Sequence, residues 1–342
     1  MSKRHWIQLI DTHCGGDVSR IVTGGIARIP GADVREKMEY IKEHGDGLRR
    51  LLLSPPYGSA DMSVDLIVEP ASAQADAGYI IMESMGYPGF SGSNTLCTAA
   101  ALLESGIIQT KSQRQTVNLE SPSGVSGVVA RIEHNQVVSV SCENPDSYIM
   151  EHNNTVYLPG FGELTYSIAY SGVFYVLVKA SDFGLRFQAT EKTTFIETAQ
   201  RIVSALQGKT RLSHPVLGDM GSELFVHFMG DVSMAESGFW ESRSATFVQP
   251  DVLCHSTTGT GTCARLALMH LEHAIKPGQQ LRTVAINGSS FTGTITDETR
   301  IGPFEGIKCT VAGVPQILSY SDLLIDLNSC SVPGNELESI LC

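Results

Sequence analysis

Apolar positions along the chain switch between two repeat lengths. Short apolar or alternating runs predict strands at residues 6–11, 18–22, 65–69, 77–82, 115–119, 125–133 and 136–143. Residues 34–53 set Met38, Ile41, Leu48 and Leu52 roughly on one face among charges, which predicts an amphipathic helix. Residues 95–105 are also helical in pattern, with Gly106 as the stop, but they are apolar nearly all round. A helix without a polar face belongs inside a domain. The first half therefore reads as a compact α+β unit, a helix enclosed by sheet.

The second half repeats this order. Residues 166–178 carry the turn Ser171-Gly172 as the opening strands carry Gly15-Gly16. An amphipathic helix at 195–206 follows, then strands at 224–228 and 244–248. A second apolar helix at 262–273 ends before Pro277-Gly278, and strands resume at 283–286 and 291–295. Each apolar helix opens from a loop of small and hydroxyl residues, Ser91-Gly92-Ser93-Asn94-Thr95 and Thr258-Gly259-Thr260-Gly261-Thr262, about half a chain apart. The matching order predicts a duplicated fold. First-turn amides of a helix lack intrahelical acceptors and carry the positive end of the dipole, so two such loops suit one shared anion.

Composition narrows the partners. The 342 residues suffice for two domains, and with 42% apolar and 18% charged residues the whole chain is expected to fold. A net charge of −12 without a basic cluster argues against nucleic acid or an anionic membrane. No signal peptide or membrane-spanning window is evident, so a cytoplasmic protein is expected. Eight cysteines without CxxC pairs predict free thiols and neither a metal site nor a disulfide framework.

The landmarks Asp11-Thr12-His13-Cys14-Gly15-Gly16, Ala60-Asp61-Met62, Ala75-Asp76-Ala77-Gly78, Gly86-Tyr87, Gly172-Val173-Phe174-Tyr175, His214-Pro215, Gly259-Thr260-Gly261-Thr262 and Gly288-Ser289-Ser290-Phe291 extend over nearly the whole chain. In these the sequence resembles the proline racemase superfamily, which includes 4-hydroxyproline epimerases and trans-3-hydroxyproline dehydratases. The resemblance implies two pseudo-symmetric domains, each a curved sheet or barrel around a central apolar helix, as in diaminopimelate epimerase. It implies limits of 1–158 with 323–342 for one domain and 159–322 for the other. It also implies a cofactor-independent site in the cleft between them, a small carboxylate as substrate, and a homodimer.

The departures shape the chemistry. The family's racemases read Cys-Gly-His in the first loop and Asp-Arg-Ser-Pro-Cys-Gly-Thr-Gly in the second, and the two thiols are the acid and base. Ser91 and Thr258 occupy those positions here. The His and Asp that hold the α-ammonium group align with Ser93 and Cys254. An alcohol is a far weaker acid than a thiol and needs a neighbouring base. The resemblance thus implies Ser91 and Thr258 as catalytic positions, with Cys254 beside His255 as a rescuing thiol. It implies Gly92, Ser93, Gly259, Thr260 and His255 as substrate-binding residues. The dehydratases of the family keep one thiol and replace the other by Ser or Thr, since elimination needs only one α-proton abstraction. The leading expectation is therefore a one-base dehydratase of the trans-3-hydroxy-L-proline type. The alternatives are a two-base racemase or epimerase, and a catalytically altered paralogue that binds another small carboxylate.

Overall fold

The computed structural model describes residues 4–220, 223–236 and 238–341. In chain order the strands and helices are β1 (Arg4–Cys14), β2 (Asp17–Gly24), α1 (Val34–His44), α2 (Asp46–Leu52), β3 (Ser63–Val68), β4 (Ala77–Met82), α3 (Gly92–Glu104), β5 (Arg114–Ser121), β6 (Gly124–Glu133) and β7 (Gln136–Leu158). They continue with β8 (Gly162–Ser171), β9 (Val173–Lys179), α4 (Lys192–Leu206), β10 (Ser213–His214), β11 (Gly218–Asp219), β12 (Leu224–Met234), β13 (Trp240–Val248) and β14 (Val252–Leu253). Helix α5 (Gly259–Leu271), β15 (Gln280–Val284), β16 (Ser290–Ile301), β17 (Phe304–Gly313) and β18 (Pro315–Asp326) complete the order.

Two compact units form, 1–142 with 313–342 and 143–312. These limits differ from 158 and 322 because the chain passes between units inside continuous strand rather than through a linker. β7 runs unbroken across residue 142, and a single residue separates β17 from β18.

In the first unit β18, β1, β2, β3, β4, β5, β6 and the start of β7 lie side by side. Helix α3 contacts β1, β2, β3, β5, β6 and β18, so strands enclose it. Every residue from Gly92 to Leu103 is buried, as the missing polar face requires. On the other face, Met38, Ile41, Leu48 and Leu52 join Ile7, Val22, Leu66 and Ile80 in a core sealed by Ile325, Leu337 and Ile340. The helix expected at 34–53 is two helices, broken at Gly45. A Cβ at Gly45 would come within 2.8 Å of Ile340, so the chain bends where the C-terminal segment packs closely.

The second unit orders its strands β7, β8, β9, β12, β13, β15, β16, β17, and β17 pairs in turn with β7. Helix α5 contacts β8, β9, β15 and β16. Helix α4 sets Phe195, Ala199, Ile202 and Leu206 against Val226, Phe228 and Phe247. The Phe195 and Phe228 rings meet edge to face at 5.0 Å.

Pairing directions repeat between the units. From β1 to β7 they run antiparallel, parallel, antiparallel, parallel, antiparallel, antiparallel. From β8 through β9, β12, β13, β15 and β16 to β17 the series is the same. In both, the second parallel step is bridged by the apolar helix, α3 or α5. The duplication read from the sequence is thus a duplication of topology. No described helix is long and apolar enough to cross a membrane.

Candidate functional site

Helix α3 starts at Ser91, which is half-buried and extended at φ −148°, with no side-chain cap bond. Its hydroxyl lies 3.4 Å from that of the buried Ser93. Thr95 Oγ1 donates to the Ser91 carbonyl at 2.7 Å and sits 2.6 Å from the Tyr79 hydroxyl. No acidic residue occupies the first turn, so nothing from the helix itself neutralises its positive end.

Beneath that turn lies a set of polar groups. Ser19 Oγ donates to Asn94 Oδ1 at 2.6 Å, and Asn94 Nδ2 donates to Glu83 Oε1 at 2.9 Å. Asp65, fully buried, accepts from Thr98 Oγ1 at 3.0 Å. Burial pushes the Asp65 carboxyl well above the usual carboxylate range. Loss of hydration also raises Glu83, to about 7, against the opposing hydrogen bond from Asn94.

Helix α5 starts at Thr258 with the same back-bond, Thr262 Oγ1 donating to the Thr258 carbonyl at 3.0 Å. The caps differ. Thr258 sits at φ 58°, ψ 136°, a conformation that β-branched residues rarely adopt. Its Oγ1 accepts from Gly261 N at 3.0 Å and lies 3.4 Å from both Tyr175 and Thr246 hydroxyls. Tyr175 reaches Thr260 Oγ1 at 2.7 Å, and Thr246 Oγ1 donates to the Thr257 carbonyl at 3.1 Å. The buried His227 places Nδ1 2.9 Å from Thr246 Oγ1, while its Nε2 has no hydrogen-bond partner. Burial, helped by Arg265, pushes this imidazole down to about 3, so it is neutral. A Cβ at residue 261 would collide with Thr258 Oγ1 and come within 2.8 Å of His227 Nδ1, so the loop needs glycine there.

Ser91, Gly92 and Ser93 thus gather at the α3 start, and Thr258, Gly259 and Thr260 at the α5 start. Cys254 is half-buried with its amide donating to the Thr246 carbonyl at 2.9 Å, and His255 is exposed. Cys97 and Cys263 are fully buried within the apolar helices. His214 accepts the Val216 and Leu217 amides at 3.1 Å each, which ties it to its own turn. No described group of three or more His, Cys, Asp or Glu is arranged to hold a metal ion.

Sequence reasoning passed over Glu83, Asn94, Tyr175, His227 and Thr246 as site residues. A signal existed in β12 and β13: Leu224, Val226, Phe228, Ala245 and Phe247 pack in the core, so His227 and Thr246 alternate to the opposite face. Two polar residues meeting on one face of otherwise apolar strands mark a polar neighbour, here the α5 cap.

Residues 9–329 match the family described as proline racemase. A protein of Chromohalobacter salexigens is 48% identical over 341 residues, spanning 100% of this chain and 94% of its own length. The chain is similar to a proline racemase of Clostridioides difficile, 28% identical over 320 residues, 94% of this chain and 95% of that protein. Among solved structures, a hydroxyproline epimerase from Agrobacterium vitis with bound trans-4-OH-L-proline superposes with a TM-score of 0.83 at 27% identity. The match covers 95% of this chain and 94% of that one.

Proposed function

The chain belongs to the proline racemase family, and we propose that it is a dehydratase of the trans-3-hydroxy-L-proline type. In this reading the amides of Gly92 and Ser93 at the α3 start hold the substrate carboxylate, and Gly259 and Thr260 are the corresponding binding positions at α5. Ser91 and Thr258 are the catalytic positions, with no metal or organic cofactor in the reaction. The α-proton leaves toward the α3 side. The β-hydroxyl of the trans isomer lies on the same ring face as the α-proton, so it departs toward the α3 side as well, and the unsaturated product tautomerises to a cyclic imine.

One observation carries this reading, the inequality of the two hydroxyls. Thr258 Oγ1 already accepts the Gly261 amide, which disfavours its service as a base but leaves its O–H to donate to the substrate. Ser91 makes no such cap bond. Racemisation asks both faces for a group that both takes and gives a proton, whereas elimination asks this of one face. The racemase and epimerase named among the relatives favour the two-sided alternative.

Incubation with trans-3-hydroxy-L-proline, with trapping of the imine, separates the readings. The expected result is imine formation with no epimerisation of 4-hydroxyproline or racemisation of proline. Inversion of either substrate in D2O, with α-deuterium incorporated, would overturn the one-sided reading. Thermal stabilisation by small carboxylates with no turnover would leave only a binding protein.

A further inference from the structure

An alcohol at residue 91 does not take an α-proton unaided, and the α3 start holds a better group one layer beneath it. Glu83 follows the end of β4 at a fixed turn. Its amide donates to the Gly86 carbonyl at 2.8 Å, and the Gly86 amide returns the bond at 3.0 Å. Gly86 adopts φ 130°, a conformation that favours glycine. Arg49 Nη1 donates to the Glu83 carbonyl at 3.1 Å, so the backbone is held from α2 as well. The side chain turns under α3, where Asn94 grips one carboxylate oxygen and is itself oriented by Ser19. Asn94 belongs to the first turn of α3, three residues after the extended Ser91. The residue as a whole is half-buried, and Asn94 anchors its carboxylate.

We infer that Glu83 is the proton acceptor of the α3 half-site, the base that the serine at position 91 cannot be. This rests on the dehydratase reading. The α-proton passes to the free carboxylate oxygen of Glu83, and the C–H electron pair forms the Cα–Cβ double bond. The Cβ–O bond breaks, and the departing hydroxide becomes water with the proton that Glu83 then releases. No oxidant, reductant or further reactant is required.

The electrostatic surroundings suit a base working near neutrality. Asp17 from β2 opposes ionisation of Glu83, and Glu83 in turn opposes ionisation of the buried Asp65 from β3. The positive charge on this side is Arg49, itself paired with Asp46 at 2.7 Å, and Asp46 also accepts from the Tyr87 hydroxyl at 2.8 Å. Asn94 is neutral. Burial first, with Asp17 adding to it and the Asn94 hydrogen bond opposing it, holds the carboxyl up to about 7, and the ionised fraction grows through the neutral range.

Glu83→Gln tests this, because the amide oxygen can still accept from Asn94. With trans-3-hydroxy-L-proline, kcat should drop by roughly 100-fold or more, with little change in KM. Glu83→Asp should keep a kcat that rises with pH, at a lower plateau. Binding of cyclopent-1-ene-1-carboxylate, which cannot eliminate water, gives a readout without turnover. Wild-type affinity should weaken as pH rises through about 7, where ionised Glu83 repels the bound acid, and Glu83→Gln affinity should stay flat. A flattened binding profile in a protein without dehydratase activity supports the placement of Glu83 and removes the dehydratase reading alone. Equal pH dependence in wild type and Glu83→Gln, or no binding by either, overturns the inference whatever the turnover.

Discussion

Thr258 and Ser91 look interchangeable as letters, since each is a hydroxyl residue before a glycine at the start of an apolar helix. Their backbones separate them. Ser91 is extended, whereas Thr258 sits at φ 58° and holds the Gly261 amide. A β-branched residue in such a conformation costs about 1–3 kcal/mol. Replacing a threonine cap by glycine costs only a few tenths of a kcal/mol, and the added chain entropy roughly 0.5–1. Thr258→Gly should therefore melt no lower than wild type while losing turnover. Thr258→Ala keeps the strain and loses the cap, so it should be less stable by about 1 kcal/mol. Urea titration of the three proteins checks the order, and a Thr258→Gly protein less stable than Thr258→Ala would show that the backbone is not strained. The positions of Ser91 and Thr258 were legible in the sequence. Their inequality was not, because a dihedral angle and the partner of a hydroxyl depend on the strands packed beneath the loop.

The apolar helices were the most legible elements. A run with no polar face has nowhere to go but the interior, and α3 obeys this at every residue from Gly92 to Leu103. Both helices nonetheless begin three residues earlier than the apolar pattern alone suggested, at Gly92 and Gly259 rather than 95 and 262. Polar first-turn residues carry no hydrophobic signal. β17 and β18 had no sequence expectation at all, and the amphipathic pattern could not show the Gly45 break, which depends on Ile340 nearly three hundred residues away. Glu83 and Asp65 were hidden for a related reason. A lone acid at the end of a strand or within one reads as surface until the helix that covers it is known. The open α3 terminus carries its own prediction. Ser91→Asp places a carboxylate on the unneutralised first turn and should stabilise the fold by about 0.3–1 kcal/mol. The same carboxylate would compete for the amides of Gly92 and Ser93. Stabilisation by added small carboxylates should vanish in this variant, and undiminished stabilisation would show that the α3 amides do not hold the ligand.

At the scale of the molecule, the two units bury ionisable groups of opposite pH response. In the second unit, His227 has a folded pKa near 3, below its ordinary value of 6.5. Between those limits the unfolded chain binds a proton that the folded chain refuses, so stability falls as pH drops from 6.5 toward 3, by up to about 1.4 kcal/mol per pH unit. In the first unit, Glu83 is raised to about 7 from an ordinary 4.5, and Asp65 is raised too. There the folded chain holds protons that the unfolded chain releases, so stability is full below 4.5 and is lost as pH rises through 7. The two slopes oppose each other across the mildly acidic range, and the wild-type curve alone would conceal both. Variants separate them. His227→Asn has no imidazole to protonate and can still meet Thr246, so its stability relative to wild type should improve steadily as pH falls below 6.5. Glu83→Gln should improve relative to wild type as pH rises from 4.5 through 7. Urea unfolding of the three proteins at pH 4.5, 6 and 8 measures these differences. Parallel pH curves for wild type and His227→Asn would mean that this imidazole titrates in the folded protein as it does in the unfolded chain. The neutral, enclosed histidine behind the Thr258 cap would then have to be abandoned.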